Sequence, residues 1–194
     1  MSKTWGIYPR QIWDYCFFDD IVNDDEIEQL FKLAENSQKI KAQVSQNKSD
    51  EDLNKIRKTS IRWIEPSDDT SWIYKKLTDI VIAANEKYFS FDLDSIQEIQ
   101  FSEYNVGDFY ERHRDHFAHS FTNPRKLSFV LQLTDPELYE GGSTLLWLDS
   151  EPTIISKKKG TITFFPSYTL HEVTEITQGT RHAIVGWVEG KPFK

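Results

Sequence analysis

The side chains best suited to metal chemistry lie in the segment YNVGDFYERHRD, which runs from Tyr104 to Asp115. Residues two apart in a β-strand point to the same face, so a strand here would aim the imidazole of His113 and the carboxylate of Asp115 at one point. This pair lacks a third ligand, and His171 in the downstream segment FFPSYTLHEV is available to supply it. Two histidines and one carboxylate form the facial triad that holds non-haem Fe(II) and leaves further positions open for substrate chemistry.

A fourth residue, Arg181, lies ten positions beyond His171 and is a permanent cation suited to bidentate binding of a carboxylate. A metal site and an arginine at this spacing predict that an organic acid binds here. One end of the acid would bind the metal through two atoms, and the guanidinium group would hold its other end. A His-x-Asp pair alone is weak evidence, because an exposed strand with polar side chains has the same pattern. The combination of His113, Asp115, His171 and Arg181 is what favours metal chemistry.

The bulk composition restricts the class of protein. The chain has 194 residues, of which 38% are hydrophobic and 14% aromatic, as expected for a globular domain with a sizeable core. Its net charge of −8 disfavours nucleic-acid binding. The single cysteine, Cys16, allows no intrachain disulfide and predicts a buried thiol in a cytoplasmic protein. We find no signal sequence and no apolar run that could span a membrane, and the composition sets no oligomeric state.

Residues 1–95 are predicted to support the site with helices and strands. Asn23 followed by Glu26 is a capping-box pattern, and an apolar stripe at helical spacing follows it. A second apolar stripe predicts another helix over residues 70–88. Alternating residues within 5–22 predict a strand along the edge of the core.

Residues 96–188 are predicted to form a β-rich core that contains the metal site. Eight short runs, separated by Gly, Pro, Asn and Asp, predict strands of a sandwich or jelly roll. They are residues 96–104, 109–115, 126–134, 143–148, 152–156, 161–165, 170–175 and 181–188. The expected fold class is therefore α+β and mainly β, with two N-terminal helices packed on a jelly roll, and residues 1–194 are expected to form one domain.

Four blocks of residues occur in a fixed order along the chain. They are Tyr104-x-x-Gly107-x-x-Tyr110-x-x-His113-x-Asp115, then Arg125-Lys-Leu-Ser128-Phe-Val-Leu-Gln132 with Asp135-Pro136-x-x-Tyr139-x-Gly141-Gly142, then Gly160, Phe165-Pro166-Ser167 and His171-x-Val173, and finally Gly179-x-Arg181-x-Ala183 with Trp187. This set resembles the Fe(II)- and 2-oxoglutarate-dependent dioxygenases, in particular the prolyl 4-hydroxylase-like group with the PKHD-type hydroxylases of bacteria and phages. The resemblance covers about residues 13–187 and implies a double-stranded β-helix, which is a jelly-roll variant.

The resemblance also implies roles for particular residues. It implies three Fe(II) ligands, namely His113, Asp115 and His171. It implies that Arg181 holds the far carboxylate of 2-oxoglutarate and that Gln132 contacts the same carboxylate. It also implies that Tyr104 can reach the co-substrate or the substrate by a hydrogen bond. The co-reactants would be O2 and 2-oxoglutarate, with ascorbate as an optional reductant, and the products would include succinate and CO2. Related halogenating enzymes carry a small residue in place of Asp115, so this carboxylate favours hydroxylation.

Other candidates are weighed against structural explanations. Arg62 and Trp63, on a strand predicted over residues 61–64, and the polar loop 45–58 correspond to substrate-covering elements of the family. A packed tryptophan and a surface loop explain them equally well. Three further histidines, His116, His119 and His182, are predicted to lie at the surface, at the rim of the substrate site or in a structural position.

The sequence leaves the substrate open. The leading hypothesis is hydroxylation of a prolyl residue in a peptide or protein, and a basic protein tail is compatible with the net charge of −8. One alternative is oxygenation of a free amino acid or another small metabolite. A second alternative is a non-catalytic jelly-roll binding module with a vestigial metal site, which the intact set of four residues disfavours.

Overall fold

A computed structural model gives the structure of the chain and describes residues 12–42, 56–116 and 125–191. The beginning of the strand predicted within 5–22, most of the 45–58 loop and His119 lie outside these residues. Within the described ranges, no helix is both long enough and apolar enough to cross a membrane.

Two helices precede the β-rich core, as predicted. Helix α1 (Asp24–Glu35) begins with a complete capping box, in which the Asn23 side chain accepts from the Glu26 N–H at 2.9 Å and the Glu26 side chain accepts from the Asn23 N–H at 3.0 Å. Helix α2 (Ser71–Ala84) continues as a π-helical turn over Asn85–Phe89. The continuation explains why the apolar pattern extends to residue 88.

The larger sheet has eight strands and forms the back wall of the core. Its strands are β1 (Cys16–Phe18), β2 (Ile40–Lys41), β4 (Ser60–Ile64), β5 (Leu93–Ile96), β6 (Ile99–Tyr104), β8 (Arg125–Gln132), β12 (Ile162–Pro166) and β15 (Arg181–Gly190). Their order is β1-β12-β8-β15-β6-β4-β2, with β5 also paired to β15, and all the pairs are antiparallel.

A five-stranded sheet faces it and carries both candidate histidine ligands. Its strands are β3 (Arg57–Lys58), β7 (Phe109–His113), β10 (Thr144–Trp147), β11 (Thr153–Ile154) and β13 (Leu170–Val173), in the order β11-β10-β13-β7-β3. A separate pair joins β9 (Tyr139–Gly141) to β14 (Ile176–Gly179). The jelly roll predicted from the eight β-rich runs is confirmed, while β9 and β14 had no strand signal in the sequence.

Strand β8 separates two apolar layers because both of its faces are buried. Leu127, Phe129 and Leu131 pack in the cluster that contains the apolar stripes of α1 and α2. On the opposite face, Val130 packs between the two sheets with Phe165. That second face also carries polar side chains, so only four of the eight residues in the sequence RKLSFVLQ are apolar although both faces are buried.

The thiol of Cys16 is buried, and burial raises its pKa to about 12. It therefore behaves as the small hydrophobic group that the sequence predicted.

The strand predicted over residues 109–115 is shorter than expected. Strand β7 ends at His113, and Asp115 follows it in a bend. The prediction that strand alternation aligns His113 with Asp115 was therefore wrong in its mechanism. Asp115 is nevertheless buried, with 6% of its surface exposed, because the chain turns inward after the strand.

Candidate active site

The three candidate ligands meet between the sheets. His113 on β7 and His171 on β13 are direct partners across the antiparallel pair, and their ring centroids lie 4.1 Å apart. Asp115 places Oδ1 3.6 Å from Nε2 of His113 and Oδ2 3.6 Å from Nε2 of His171. One ligand atom from each residue falls within 4.8 Å of the others, which is the geometry of a metal-binding site.

Hydrogen bonds on the far side of each imidazole fix its orientation. Nδ1 of His113 lies 2.8 Å from the carbonyl oxygen of Glu111, and Nδ1 of His171 lies 2.9 Å from that of Thr169. A carbonyl accepts only from a protonated Nδ1, so each neutral ring keeps the lone pair of Nε2. Both lone pairs are directed at the space beside Asp115, as in metal-binding histidines.

The carboxylate of Asp115 is held by a buried pair of serines. The Ser128 hydroxyl donates to Oδ2 at 2.7 Å and lies 2.9 Å from the hydroxyl of Ser167. Because Ser128 has one proton to donate, Ser167 is the donor within the pair. Burial acts to raise the pKa of Asp115, but His171, His113 and Ser128 together hold that pKa below its ordinary value. The carboxyl group is therefore ionised at neutral pH.

Burial shifts the pKa of His113 in the opposite direction, because it disfavours the charged form of an imidazole. Loss of water around His113 lowers its pKa to about 3, and His171 adds to that effect. A neutral imidazole is the form that binds a metal. Two neutral nitrogen donors and one carboxylate form the donor set of a facial-triad Fe(II) site, so the residues present fit this metal.

Arg181 lies deep in the same cavity, with 1% of its surface exposed. Its guanidinium group donates to Oε1 of Gln132 at 3.1 and 3.3 Å and to the hydroxyl of Thr144 at 3.3 Å. The group also lies 5.4 Å from the ring centroid of Tyr104, the residue that faces Arg181 across the β6–β15 pair. These neutral contacts orient the cation and leave its charge without a carboxylate partner among the described residues.

The structure refines two co-substrate candidates. Tyr104 lines the cavity beside Arg181. Gln132 does not appear among the described lining residues, because its side chain lies behind the guanidinium group and also donates to the carbonyl of Ser156 at 3.3 Å. Thr144 does line the cavity, and no pattern in the sequence had pointed to it.

The cavity has a volume of about 180 Å³ and extends past the metal site to an open end. At that end, the Arg125 guanidinium lies 3.8 Å from the ring centroid of Trp187, and the Arg57 guanidinium lies 4.5 Å from that of Tyr110. Trp187 faces Ser128 across the β8–β15 pair, and Ser128 holds Asp115, so this end begins directly beside the metal ligands. On β8, Arg125 is seven residues from Gln132, which contacts Arg181, and this spacing corresponds to roughly 23 Å along a strand. The two arginine-rich ends are therefore distinct.

Only one of the two predicted substrate residues reaches this cavity. Trp63 lines it, as does Ile61 two positions earlier on β4. Arg62 points to the other face of the strand, where its guanidinium pairs with Glu103 at 3.1 Å and lies 5.9 Å from the centroid of Phe101. Strand alternation therefore directs Arg62 away from the cavity that Trp63 lines.

The described additional histidines are structural. Nδ1 of His116 lies 3.1 Å from the carbonyl oxygen of Arg125. The backbone N–H of His116 donates to the carbonyl oxygen of Ser167 at 2.9 Å. His182 packs on Phe31 and contacts Thr134, and burial lowers its pKa. Neither residue belongs to the metal-binding group.

Comparison with known proteins agrees with this geometry. Residues 99–189 match the family described as the 2OG-Fe(II) oxygenase superfamily. This region belongs to that superfamily. The region contains every candidate metal ligand as well as Arg181, so the oxygenase match coincides with the described site.

The curated relatives include PKHD-type hydroxylases from Prochlorococcus marinus. One, from strain SARG, is 39% identical over 94 residues, which cover 48% of this chain and 42% of the relative. Another, from strain NATL1A, is 34% identical over 126 residues, which cover 63% of this chain and 57% of the relative. The chain thus matches less than two thirds of the length of each.

Solved structures share the fold of this chain. A prolyl-4-hydroxylase from Pseudomonas putida is 21% identical, with a TM-score of 0.70 and coverage of 92% of this chain and 94% of that one. A viral collagen prolyl hydroxylase from Paramecium Bursaria Chlorella virus-1 is 21% identical, with a TM-score of 0.68 and coverage of 92% and 97%. A Trichoplax adhaerens prolyl hydroxylase, solved with a peptide fragment, is 17% identical, with a TM-score of 0.75 and coverage of 91% and 84%.

Proposed function

We propose that this protein is an Fe(II)- and 2-oxoglutarate-dependent oxygenase that hydroxylates a C–H bond of a prolyl residue in a peptide or protein. The observation that carries the proposal is one cavity with a His-Asp-His metal site in its middle and a buried arginine at its closed end. A dicarboxylic keto acid fits this arrangement, because one end can chelate a metal while the other end pairs with a guanidinium group.

His113, Asp115 and His171 would hold Fe(II), which when bound supplies the activation of O2. The balanced reaction consumes one substrate C–H, one O2 and one 2-oxoglutarate, and forms one C–OH, one succinate and one CO2. Arg181 would bind the distal carboxylate of 2-oxoglutarate and would be oriented by Gln132 and Thr144.

The protein also controls water and orientation around the reacting groups. Phe165 packs 4.8 Å from His171, and Val130 and Val185 line the same cavity, so apolar groups surround the polar centre. Exclusion of water strengthens charge interactions there and limits side reactions. Tyr104, beside Arg181, would contribute its hydroxyl group to co-substrate binding.

Two features support a peptide substrate. The cavity volume of about 180 Å³ lies below the roughly 300–1,000 Å³ of pockets that enclose a whole ligand. Once the co-substrate is in place, there is room for one small side chain while the rest of the substrate stays outside. Trp63 and Trp187 at the open end provide flat surfaces for a ring such as that of proline. In addition, the structural relatives carry the name prolyl hydroxylase, and one was solved with a peptide fragment.

The first test is binding of 2-oxoglutarate to the Fe(II)-loaded protein without oxygen. A chelated keto acid gives a weak visible charge-transfer band, and we expect this band together with succinate formation when oxygen is admitted. His113→Ala and Asp115→Ala should abolish both signals, whereas Arg112→Ala, on the outer face of the sheet, should retain them. A colourless mixture at saturating concentrations, or turnover by either ligand variant, would contradict the proposal.

The substrate is tested by mass spectrometry of peptides and lysate proteins after incubation with the enzyme. Prolyl hydroxylation gives a gain of one oxygen atom that fragmentation locates on proline. A gain of oxygen on a free amino acid or another metabolite, with none on peptides, would instead support the small-molecule alternative.

A further inference from the structure

The cavity is positive although the whole chain is negative. Four arginines line it, namely Arg57, Arg114, Arg125 and Arg181, and Asp115 is the only acid among the described lining residues. The chain as a whole carries a net charge of −8. A divalent metal would offset Asp115, and 2-oxoglutarate would occupy the metal and Arg181. The open end then keeps the positive charge of Arg57, which neither the metal nor 2-oxoglutarate offsets.

Arg57 carries the strongest sign of a missing ligand. Only 8% of its surface is exposed, its Nε has no hydrogen-bond partner, and within the described ranges it forms no ion pair. Its guanidinium group lies over the ring of Tyr110, which itself stacks on His113 with 3.5 Å between ring centroids. A buried cationic donor without an anionic partner is costly, so this group is placed to receive an anion close to the metal.

Arg125 lies close enough to Arg57 for the two charges to interact. Burial lowers the pKa of Arg125, the negative charges of Asp115 and Glu189 oppose that effect, and the positive charge of Arg57 adds to it. The Arg125 side chain is oriented by stacking on Trp187 and by donation from its Nε to Gln97 at 2.9 Å. An anion between the two guanidinium groups would relieve their repulsion.

We propose that the substrate carries a carboxylate next to the C–H bond that is oxidised, and that Arg57 and Arg125 bind it. A planar carboxylate matches the fork of a guanidinium group. This subsite lies at the open end of the cavity and differs from that of Arg181. The carboxylate is either the side chain of an acidic residue beside the oxidised one in a peptide or the terminal carboxylate of a small substrate. A basic protein tail is excluded by like-charge repulsion.

This inference rests on the proposed function and is tested with matched blocked dipeptides. The probes are N-acetyl-Glu-Pro-amide, its Gln and Lys counterparts, and N-acetyl-Gln-Pro with a free terminal carboxylate. Binding to protein loaded with Mn(II) and 2-oxoglutarate is measured by calorimetry and by broadening of the probe's NMR signals by Mn(II). At least one of the two carboxylate probes should bind at least tenfold tighter than the Gln and Lys amides, and the probe that does so identifies the source of the carboxylate.

Three variants and a salt series separate this subsite from general electrostatics. Arg57→Gln should abolish the preference for the carboxylate, and Arg57→Lys should retain part of it. Lys58→Gln, at an exposed neighbour that pairs with Asp108 at 3.5 Å, should leave it unchanged. Raising the NaCl concentration from 50 to 500 mM should reduce the preference in the unmodified protein, which requires no folded variant.

Equal binding of all four probes, or tighter binding of the Lys probe, overturns the inference. The proposed function has its own readout in parallel samples loaded with Fe(II), because slow succinate formation without any probe requires only Fe(II), 2-oxoglutarate and O2. A protein that forms succinate and prefers the Lys probe therefore refutes the carboxylate subsite alone. A protein that neither binds 2-oxoglutarate nor forms succinate refutes the proposed function.

Discussion

At the scale of single residues, the metal site depends on groups that do not face the metal. The backbone carbonyls of Glu111 and Thr169 fix both imidazoles, so these ligands need no side-chain support. Asp115 lies beyond the end of its strand and relies on the hydroxyl of Ser128. The carboxylate is therefore the ligand most sensitive to mutation of a neighbour.

We expect Ser128→Ala to weaken Mn(II) binding by roughly 10- to 100-fold, because loss of a group that orients a metal ligand has effects of this size. Ser167→Ala should have a smaller effect, since its hydroxyl reaches Asp115 only through Ser128. Ser102→Ala is the matched control, because this buried serine accepts from Gln100 at 2.7 Å and does not contact the ligands. Metal affinity is measured by calorimetry, and an unchanged value in Ser128→Ala contradicts the prediction.

Arg181→Gln should weaken 2-oxoglutarate binding at least 100-fold while changing Mn(II) affinity only two- to threefold. Removal of one partner of a buried charge pair costs about 3–5 kcal/mol, and each 1.4 kcal/mol corresponds to a factor of about ten. Arg112→Gln, at an exposed arginine that stacks on Trp147, is the control. Equal co-substrate affinity in Arg181→Gln and the parent would remove this residue from the site.

At the scale of elements, two adjacent strands define the axis of the cavity. On β8, Gln132 supports Arg181 at the closed end, Ser128 supports Asp115 in the middle, and Arg125 stands at the open end. Strand β15 runs antiparallel beside it, with Ala183 opposite Gln132 and Trp187 opposite Ser128. Both strands are hydrogen-bonded on two sides, so the parts of the site hold fixed positions relative to one another.

The turn between β9 and β10 packs closely against the side chain of Arg181. Gly142 has φ +59°, and a Cβ there would lie 2.3 Å from Cδ1 of Ile176 and 3.2 Å from Cδ of Arg181. We expect Gly142→Ala to lower the free energy of unfolding by at least about 1 kcal/mol and to weaken 2-oxoglutarate binding. Gly107→Ala, at φ +81° with only the flexible end of Lys58 nearby, should lower stability without weakening binding. Denaturant unfolding and calorimetry measure the two effects.

The sequence predicted those elements whose signals are local. The capping box of Asn23 and Glu26 marked the first helix, and short β-rich runs separated by turn residues marked the core strands. Strands β9 and β14 were missed because they are short and their pairing is specified by distant contacts. The bend at Asp115 was missed for the same reason, because Ser128, which holds the Asp115 carboxylate, lies on another strand.

The residues of the site were predicted unevenly. The ligands and Arg181 form recognisable motifs. The contacts of Thr144 with Arg181, of Ser128 with Asp115 and of Arg57 with Tyr110 follow from no spacing in the chain. Arg62 illustrates the opposite case, because its position in the chain suggested a substrate contact while strand alternation directs its side chain to Glu103.

At the scale of the whole molecule, charges join separate segments of the acidic chain. Glu103 on β6 pairs with Lys39 at 2.6 Å and with Arg62 at 3.1 Å, so it links the segment after α1 and strand β4 to the core. Burial acts to raise the pKa of Glu103, but Lys39, Asn105 and Arg62 lower that pKa to about 2.

This shift predicts a particular dependence of stability on pH. A carboxyl group whose pKa falls on folding stabilises the folded state above its unfolded pKa, about 4.5, and loses that contribution as the pH falls toward 2. Glu103→Gln should therefore lower the free energy of unfolding at pH 7 by about 1–3 kcal/mol and flatten its decline between pH 4.5 and 2. Glu28→Gln, at an exposed pair within α1, is the control. Urea unfolding at several pH values measures both curves, and parallel curves would contradict the prediction.

The hydrogen bonding of β15 has a consequence for the choice of keto acid. This strand is bonded to β5, β6 and β8, and it fixes Arg181 at one distance from the metal ligands. A keto acid one methylene shorter or longer than 2-oxoglutarate would miss either the guanidinium group or the metal. The open end has no such fixed spacing, because β3 with Arg57 is an edge strand bonded only to β7 among the described strands. Under the proposed function, changes at this edge can therefore alter the choice of substrate while the binding of 2-oxoglutarate at Arg181 is kept.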